Sequence, residues 1–294
     1  MKGSVVCGVD LWPGSEEVAR VAMWLANELD GQALVVHVTH GTARRSAAPT
    51  LGQARELRRL GRFLQRLGGT RRGWTLVRAG DPAAELLAAA RELDAELLVV
   101  GSRGLREIGS ALLGSVSSEM MREAPCPVIV VPPGSALPVA GIRSIVVGID
   151  GGERDAPLLR LAADLAERLR AALHAVHAFQ TQPGAVGMGG RTPPLAPELH
   201  DAAERTLDQA VSEAAVPARQ SVVERPAAEA LELAAQQDSA GLIAVASRGH
   251  GTLNSILHGS VTVQLAAEAP VPVIVLPPGA ELVAGSGHYE VSAA

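Results

Sequence analysis

The sequence contains few aromatic residues: Phe, Trp and Tyr together make up 2% of its 294 residues. Any hydrophobic core must therefore be aliphatic, built from the Ala, Val and Leu of the periodic segments. The apolar fraction of 47% is enough for cores in about two domains of ordinary size, and it excludes a globally disordered chain. Aliphatic strands of this kind are typical of a parallel sheet that is covered on both faces.

Cysteine is also scarce. Cys7 and Cys126 are the only two, and they form neither a CxxC motif nor a metal-ligand spacing. No run of about 18 apolar residues occurs, so no membrane-spanning helix is expected. We therefore expect a cytoplasmic protein in a reducing compartment, without a secretion signal or a membrane partner.

The chain lacks a broad basic surface, since its net charge is −5 and its pI is near 5.9. This balance argues against nucleic acid as a partner and favours a small ligand or another protein. One basic cluster stands out, and we interpret it as a solvated helix face. Its members are Arg44, Arg45, Arg55, Arg58, Arg59, Arg62, Arg66, Arg71 and Arg72.

Several catalytic motifs are missing. No GKS or GKT follows a glycine-rich loop, and no G-x-S-x-G elbow occurs. The histidine pairs His37/His40 and His174/His177 lack a nearby third ligand for zinc. We therefore predict no catalytic residue and no metal site built by side chains.

What the chain does contain is an internal repeat. The segment Ser4–Asp10, SVVCGVD, returns as SIVVGID 140 residues later. Two further segments, GSRGLREIGSALLGS and APCPVIVVPPG, return 145 residues later as ASRGHGTLNSILHGS and APVPVIVLPPG. Three ordered matches at nearly constant spacing indicate a duplication.

Each half alternates short β-branched runs with longer helical patterns, which is typical of βαβ units. We predict an α/β protein of two tandem doubly wound domains, each with a five-stranded parallel sheet of the Rossmann-like type. Prolines near residue 138 mark the boundary. The predicted domains are 1–138 and 139–294, the second with a short C-terminal tail at 280–294.

The glycines after the fourth strand of the first half could hold phosphate. Gly101 and Gly104 are followed by Gly114 and Ser115 at the start of a predicted helix. The first N–H groups of a helix have no partners and its dipole is positive there, so such a loop forms an anion site. Asp10 ends the first strand, and ligands of doubly wound sheets bind where the strand order reverses. The alternative is that Asp10 only caps the turn before Pro13.

The spacing Gly-x2-Gly-x9-Gly-Ser, the aspartate after the first strand and the final APCPVIVVP strand resemble the ATP-binding branch of the universal stress protein family. The resemblance covers both halves and implies ATP, with Mg²⁺ or Mn²⁺ bridging the phosphates. It implies that Asp10 and the backbone of Val38 contact the adenine end. It further implies that the ribose and phosphates are lined by Gly101, Gly104, Gly114, Ser115, Val116 and Ser117.

The second half keeps most of this pattern, in Asp150, Gly249, Gly259, Ser260 and Thr262. Ala246 stands in the place of Gly101, however, and its methyl could crowd a ligand or strain a backbone that needs positive φ. Glu224 replaces Gly80 as well. Nucleotide binding is therefore predicted for the first repeat and left open for the second.

We interpret the chain as a nucleotide-binding regulatory module of the stress response, with an unknown protein partner. Two alternatives stay open: a slow metal-dependent ATPase or phosphotransferase, and a scaffold with vestigial sites. The last strand of each half would be an edge strand that needs cover. By resemblance, the two could pair within the chain, and a further homodimer is possible.

Overall fold

The computed structural model describes residues 3–12, 14–39, 51–68, 73–102, 113–135, 141–180, 196–247 and 260–280. The first half contains β1 (Ser4–Gly8), α1 (Ser15–Glu28), β2 (Gln32–Thr39), α2 (Leu51–Arg66), β3 (Gly73–Ala79), α3 (Pro82–Glu92), β4 (Leu97–Gly101), α4 (Ser115–Glu123) and β5 (Val128–Val131). The second contains β6 (Ser144–Ile149), α5 (Asp155–Leu169), β7 (Ala172–Phe179), α6 (Ala196–Ala214), β8 (Arg219–Glu224), α7 (Ala227–Gln237), β9 (Leu242–Ala246), α8 (Ser260–Glu268) and β10 (Val273–Leu276).

All ten strands form one sheet, in the order β3-β2-β1-β4-β5-β10-β9-β6-β7-β8. Within each repeat every pairing is parallel, and β1 lies between β2 and β4 as β6 lies between β7 and β9. The strand order therefore reverses beside β1 and beside β6. This confirms the prediction of two doubly wound, five-stranded parallel units.

The two units join through their last strands. β5 and β10 pair antiparallel, with Ile129 opposite Ile274, which confirms the expectation that these strands cover each other within the chain. Because the join is antiparallel, the carboxyl ends of the strands point to opposite edges of the sheet in the two repeats. The crevice at each reversal of strand order is consequently built by the loops of one repeat. The predicted boundary at residue 138 lies outside the described residues and stays a prediction.

Helices cover both faces, and each core runs through both repeats. One core contains side chains of α1, α2, α5 and α6, with Leu25, Leu60, Leu158 and Leu207 each at most 2% exposed. The other contains side chains of α3, α4, α7 and α8. A partly buried ion pair between Arg168 and Glu96 also links the repeats.

Helix α3 begins with a side-chain cap. The Asp81 side chain accepts a hydrogen bond of 2.9 Å from the N–H of Ala84, and Pro82 begins α3. Aspartate before a proline favours such a cap, since proline at the first helical position loses no hydrogen bond. Within the described residues, no helix has both the length and the apolarity that crossing a membrane requires.

Candidate functional site

The candidate site of the first repeat lies where β1 and β4 end side by side. Cys7 of β1 is opposite Val99 of β4, so the loops that follow the two strands leave the same edge of the sheet. Asp10 belongs to the first loop, two residues after β1 ends, and Gly101 is the last residue of β4. Val38 lies near the end of β2, on the other side of β1, and is half-buried.

A tight turn fixes the carboxylate of Asp10. Leu11 has a φ of +60°, a left-handed conformation that costs a non-glycine residue about 1 kcal/mol. The turn lets Asp10 Oδ1 accept from the N–H of Trp12 at 3.1 Å and from the Ser15 hydroxyl at 2.5 Å. In the described part of the chain no donor reaches Oδ2, which leaves that oxygen for a ligand.

The glycine-rich loop is closed at its base by the carbonyl of Ser102. This carbonyl accepts from the N–H of Gly114 at 2.7 Å and from the Ser117 hydroxyl at 3.1 Å. The N–H of Ser102 is bonded in turn to Val131 O at 3.1 Å. The base of the loop is thus attached to the end of β5. Gly104 lies outside the described residues.

Helix α4 begins at this base without a side-chain cap. Gly114 is the N-cap residue, and no acidic residue lies in the first turn. The first bond of the helix is from the N–H of Ser118 to Gly114 O. The N–H groups of Ser115, Val116 and Ser117 therefore have no partner within the helix and are available to an anion.

The two serines of this turn play different parts. Ser115 is exposed, whereas Ser117 is 1% exposed. The Ser117 hydroxyl lies 2.9 Å from Gly114 O and 3.1 Å from Ser102 O. That hydroxyl is occupied in the base of the loop, so the group of Ser117 that is available to a ligand is its backbone N–H rather than its side chain.

Ser102 supplies a test of whether a polar ligand fits here. Its residue is 1% exposed, and its Oγ has no hydrogen-bond partner among the described residues. A buried hydroxyl without a partner costs about 1–3 kcal/mol. The Ser102 hydroxyl has no partner, and the first N–H groups of α4 have none within the helix. Both features fit a site in which a polar ligand would form the missing hydrogen bonds.

The second repeat reproduces the aspartate turn with different residues. Gly151 takes the left-handed position with a φ of +82°, and Asp150 Oδ1 accepts from the N–H of Gly152 at 3.0 Å. Gly151 corresponds to Leu11. The backbone turn is thus the same in both repeats although Leu-Trp and Gly-Gly share no side chain.

Asp155 replaces Ser15 in the second repeat, a change that our sequence analysis missed. It is 4% exposed and accepts from the N–H groups of Gly151 at 2.8 Å and Asp150 at 3.3 Å. Burial raises the pKa of Asp155 from 3.8 to about 6; hydrogen bonds from Asp150, Gly151 and Gly152 oppose this shift, and the nearby Asp150 carboxylate adds to it. Comparing the repeats position by position would have revealed the substitution.

Ala246 does not strain the backbone. Gly101 lies in β4 and is not among the glycines with positive φ, so the position needs no glycine for conformational reasons. Ala246 ends β9, opposite Leu276, and its carbonyl accepts from the Thr262 hydroxyl at 3.3 Å. Only crowding of a ligand by the methyl group remains as an obstacle.

The other predicted residues of the second repeat are placed as follows. Ser260 begins α8, and Gly249 and Gly259 lie outside the described residues. Glu224 ends β8 and is exposed. Together with Gln180, Arg225 and Pro226 it lines an open cleft of about 360 Å³ at the same edge of the sheet as the Asp150 turn.

Comparisons with known proteins decide the family. The model of the universal stress protein family matches residues 1–132 and 141–277. The chain belongs to the universal stress protein family. It is 32% identical over 219 residues to universal stress protein Rv2623 of Mycobacterium tuberculosis, covering 68% of this chain and 70% of that protein.

A second sequence relative matches a smaller share, whereas the similar solved structures cover almost the whole chain. Universal stress protein Rv2005c of Mycobacterium tuberculosis is 37% identical over 192 residues, and the match spans only 62% of either chain. A universal stress protein of Archaeoglobus fulgidus has the same fold, with a TM-score of 0.66 at 18% identity, over 94% of this chain and 99% of that one. Protein PA1789 of Pseudomonas aeruginosa has a TM-score of 0.62 at 16% identity, over 95% of this chain and 93% of that one.

Three of the four histidines of the predicted pairs have structural partners in this universal stress protein, and the fourth, His40, lies outside the described residues. His37 Nδ1 lies 2.9 Å from Val9 O, and His177 Nδ1 lies 2.8 Å from Ile149 O. His174 contacts Asp238 at 2.6 Å and Ser221 at 2.9 Å. In the described part of the chain, no three His, Cys, Asp or Glu side chains converge as a metal site would require.

Proposed function

We propose that the first repeat binds ATP in the crevice between β1 and β4, and that the bound nucleotide regulates the protein's interactions in the stress response. One observation supports this most: an uncapped helix N-terminus and an open carboxylate oxygen lie beyond adjacent parallel strands, at the reversal of strand order. This is the position where doubly wound sheets bind nucleotides.

The two ends of the crevice suit the two ends of a nucleotide. The N–H groups of Ser115, Val116 and Ser117 would receive phosphate oxygens, and the glycines Gly101 and Gly114 let the backbone approach them without a Cβ. Oδ2 of Asp10 would accept from the ribose or the base, with the backbone of Val38 beside the base. A carboxylate placed among the phosphates would repel them, so this orientation is favoured over the reverse.

Mg²⁺ or Mn²⁺ would enter with the phosphates. Since the described side chains form no metal cluster, the nucleotide itself would provide most of the ligands, as is usual for Mg²⁺ at phosphates. We propose binding rather than turnover as the main activity. Oδ1 of Asp10 already accepts two hydrogen bonds, and in the proposed orientation this carboxylate meets the ribose or the base rather than the phosphates.

The proposal assigns one nucleotide to each chain. In the second repeat the Ala246 methyl takes up space next to the phosphate loop, and the Asp155 carboxylate adds negative charge behind the Asp150 turn. Both changes act against a polyanion. An Ala246→Gly variant removes the first of them without altering the strand.

The test is the nucleotide content of the purified protein. Ligand is released by acid, quantified per chain and compared between the wild type, Gly114→Val and a control, Gly279→Val. A Cβ at Gly279 would meet no atom within 4 Å, so the control keeps the fold and the first site. We expect about one nucleotide per chain in the wild type and in Gly279→Val. Gly114→Val should lose it, because the valine side chain would crowd the backbone N–H groups that would bind phosphate.

Calorimetric titration with ATP and Mg²⁺ or Mn²⁺ covers the case of a ligand lost in purification. Two nucleotides per chain would show that Ala246 is tolerated and would correct the assignment to one repeat. Neither released nucleotide nor a calorimetric signal would refute nucleotide binding and leave a scaffold. Release of ADP at a rate that tracks added ATP would favour the ATPase alternative.

A further inference from the structure

Helices α2 and α6 occupy equivalent places in the two repeats but carry opposite charge. Each connects the second and third strand of its repeat and packs on the same face of the sheet. Helix α2 contains five arginines and one glutamate, a net charge of +4. Helix α6 contains five acidic residues and one arginine, a net charge of −4.

The arginines of α2 form an exposed stripe. Arg55, Arg58, Arg62 and Arg66 follow one another at spacings of three or four residues, which places them along one side of the helix, and Arg59 lies next to Arg58 three residues before Arg62. All five are exposed. Arg59 contacts Glu56 at 3.4 Å, whereas Arg55, Arg58 and Arg62 have no ion-pair partner among the described residues.

The acidic residues of α6 form a matching stripe. Glu198, Asp201, Glu204 and Asp208 follow at spacings of three or four residues and are exposed. Glu204 contacts His200 at 3.3 Å, whereas Asp201 and Asp208 have no ion-pair partner in the part of the chain that the structure describes. The Asp201 and Asp208 carboxylates therefore remain available to a positively charged surface.

The two stripes cannot meet within one chain. Helix α2 packs at the β3 end of the sheet and α6 at the β8 end. With strands spaced about 4.8 Å apart, ten strands separate these ends by about 40 Å. A partner that matches both stripes must carry one positive and one negative helix, and a second copy of this chain carries both.

Nucleic acid is the competing partner for the arginine stripe. It would leave the acidic stripe of α6 unexplained, and the chain as a whole has a net charge of −5, which disfavours a polyanion beyond the local stripe. Two copies of this chain, in contrast, would be electrostatically complementary, because the basic α2 of one copy can face the acidic α6 of the other.

We propose that this protein self-associates by placing the arginine stripe of α2 in one copy against the acidic stripe of α6 in another. The contact is between different surfaces of the two chains. Such a contact produces a closed dimer where both helix pairs meet at once and a longer assembly where they do not. Salt must weaken it, because the stripes are exposed to solvent.

The test reverses the charge of each stripe in the full chain. The α2-reversed variant is Arg55→Glu, Arg58→Glu and Arg62→Glu; the α6-reversed variant is Asp201→Arg, Glu204→Arg and Asp208→Arg. Sedimentation velocity then measures association. We expect the wild type to associate at least about tenfold more weakly at about 500 mM salt than at about 50 mM, as the Debye length shortens. Each reversed variant alone should be monomeric.

Mixing the two reversed variants is the decisive step. In the mixture an acidic α2 meets a basic α6 and an acidic α6 meets a basic α2, so association should return to both. A matched control for the α2-reversed variant, Arg91→Glu with Arg122→Glu and Arg143→Glu, makes the same change of net charge outside the stripes and should associate like the wild type. Circular dichroism melting checks that every variant is folded.

A monomeric wild type at low salt would overturn the proposal, and so would a folded mixture that stays monomeric. Labelled single-stranded DNA addresses the competing partner. Tight binding that the α2-reversed variant loses and the α6-reversed variant keeps, with no effect of either on sedimentation, would assign the arginine stripe to nucleic acid and contradict self-association.

Discussion

Replacing Asp155 by Ser gives the second repeat the residue that the first repeat has at Ser15, and we expect it to change how stability depends on pH. The Asp155 carboxyl is 4% exposed and has a pKa raised from 3.8 to about 6, above all by burial. The folded state therefore binds this proton more tightly than the unfolded state. Stability from this group is present below the unfolded pKa and is lost as the pH rises through the folded pKa.

The size of the effect follows from the shift. A difference of about two pKa units corresponds to about 3 kcal/mol at neutral pH, of which about 2 kcal/mol develops between pH 4 and pH 7. The variant also loses the hydrogen bonds to the N–H groups of Gly151 and Asp150, each worth about 1 kcal/mol. We expect Asp155→Ser to gain about 1 kcal/mol over the wild type at pH 7 and to be less stable than the wild type at pH 4.

The assay is urea unfolding followed by circular dichroism at several pH values. Because other carboxyl groups also titrate, the informative quantity is the difference in unfolding free energy between variant and wild type. The reciprocal variant Ser15→Asp places a carboxylate beside Asp10, within reach of its Oδ1, and should lose stability as the pH rises. A constant difference between Asp155→Ser and the wild type from pH 4 to pH 7 would refute the reasoning.

Three further predictions test the packing. A Cβ on Gly31 would lie 1.7 Å from the carbonyl oxygen of Gly3, so Gly31→Ala should lower the free energy of urea unfolding by about 2–4 kcal/mol. A Cβ on Gly61 would have no atom within 4 Å, so Gly61→Ala should raise that free energy by up to about 1 kcal/mol. Equal effects of the two substitutions would contradict this. Glu96→Gln removes the negative charge that faces Arg168; the two side chains are 20% and 29% exposed, respectively. The variant should have a lower melting temperature, through a loss of about 1 kcal/mol in unfolding free energy. High salt should leave the melting temperature of the variant unchanged and shift only that of the wild type. Burial raises the pKa of both Cys7 and Cys126 to about 12, so a thiol reagent at pH 8 should label neither cysteine until urea unfolds the chain, and rapid labelling of the native protein would be evidence against this packing.

Most of the fold could be predicted because each strand is a short aliphatic run between clear turn signals. The repeated segments that begin at Ser4 and Ser144 both form strands, β1 (Ser4–Gly8) and β6 (Ser144–Ile149). The pairing of the last strands with each other was implied by the family resemblance, and the need to cover two exposed edges agrees with it. These are properties of single elements and of the repeat, which a sequence displays directly.

The site was predicted less completely because its details depend on which polar atoms form hydrogen bonds with one another in the folded chain. Nothing in the sequence shows that the Ser117 hydroxyl bonds inside the loop base, or that Gly101 has an extended backbone. The left-handed turn is evident from Gly151 in the second repeat but is hidden by Leu11 in the first. Asp155 is likewise an ordinary helix-start residue until burial gives it a shifted pKa.

The way the repeats are joined explains why their crevices can differ while the fold stays common to both. Folding depends on both repeats, since each core contains side chains from both and β5 and β10 cover each other. Each crevice, in contrast, is made by the loops of one repeat, at opposite edges of the sheet. A change such as Ala246 for Gly101 therefore alters the lining of one crevice without disturbing the cores that hold both repeats together.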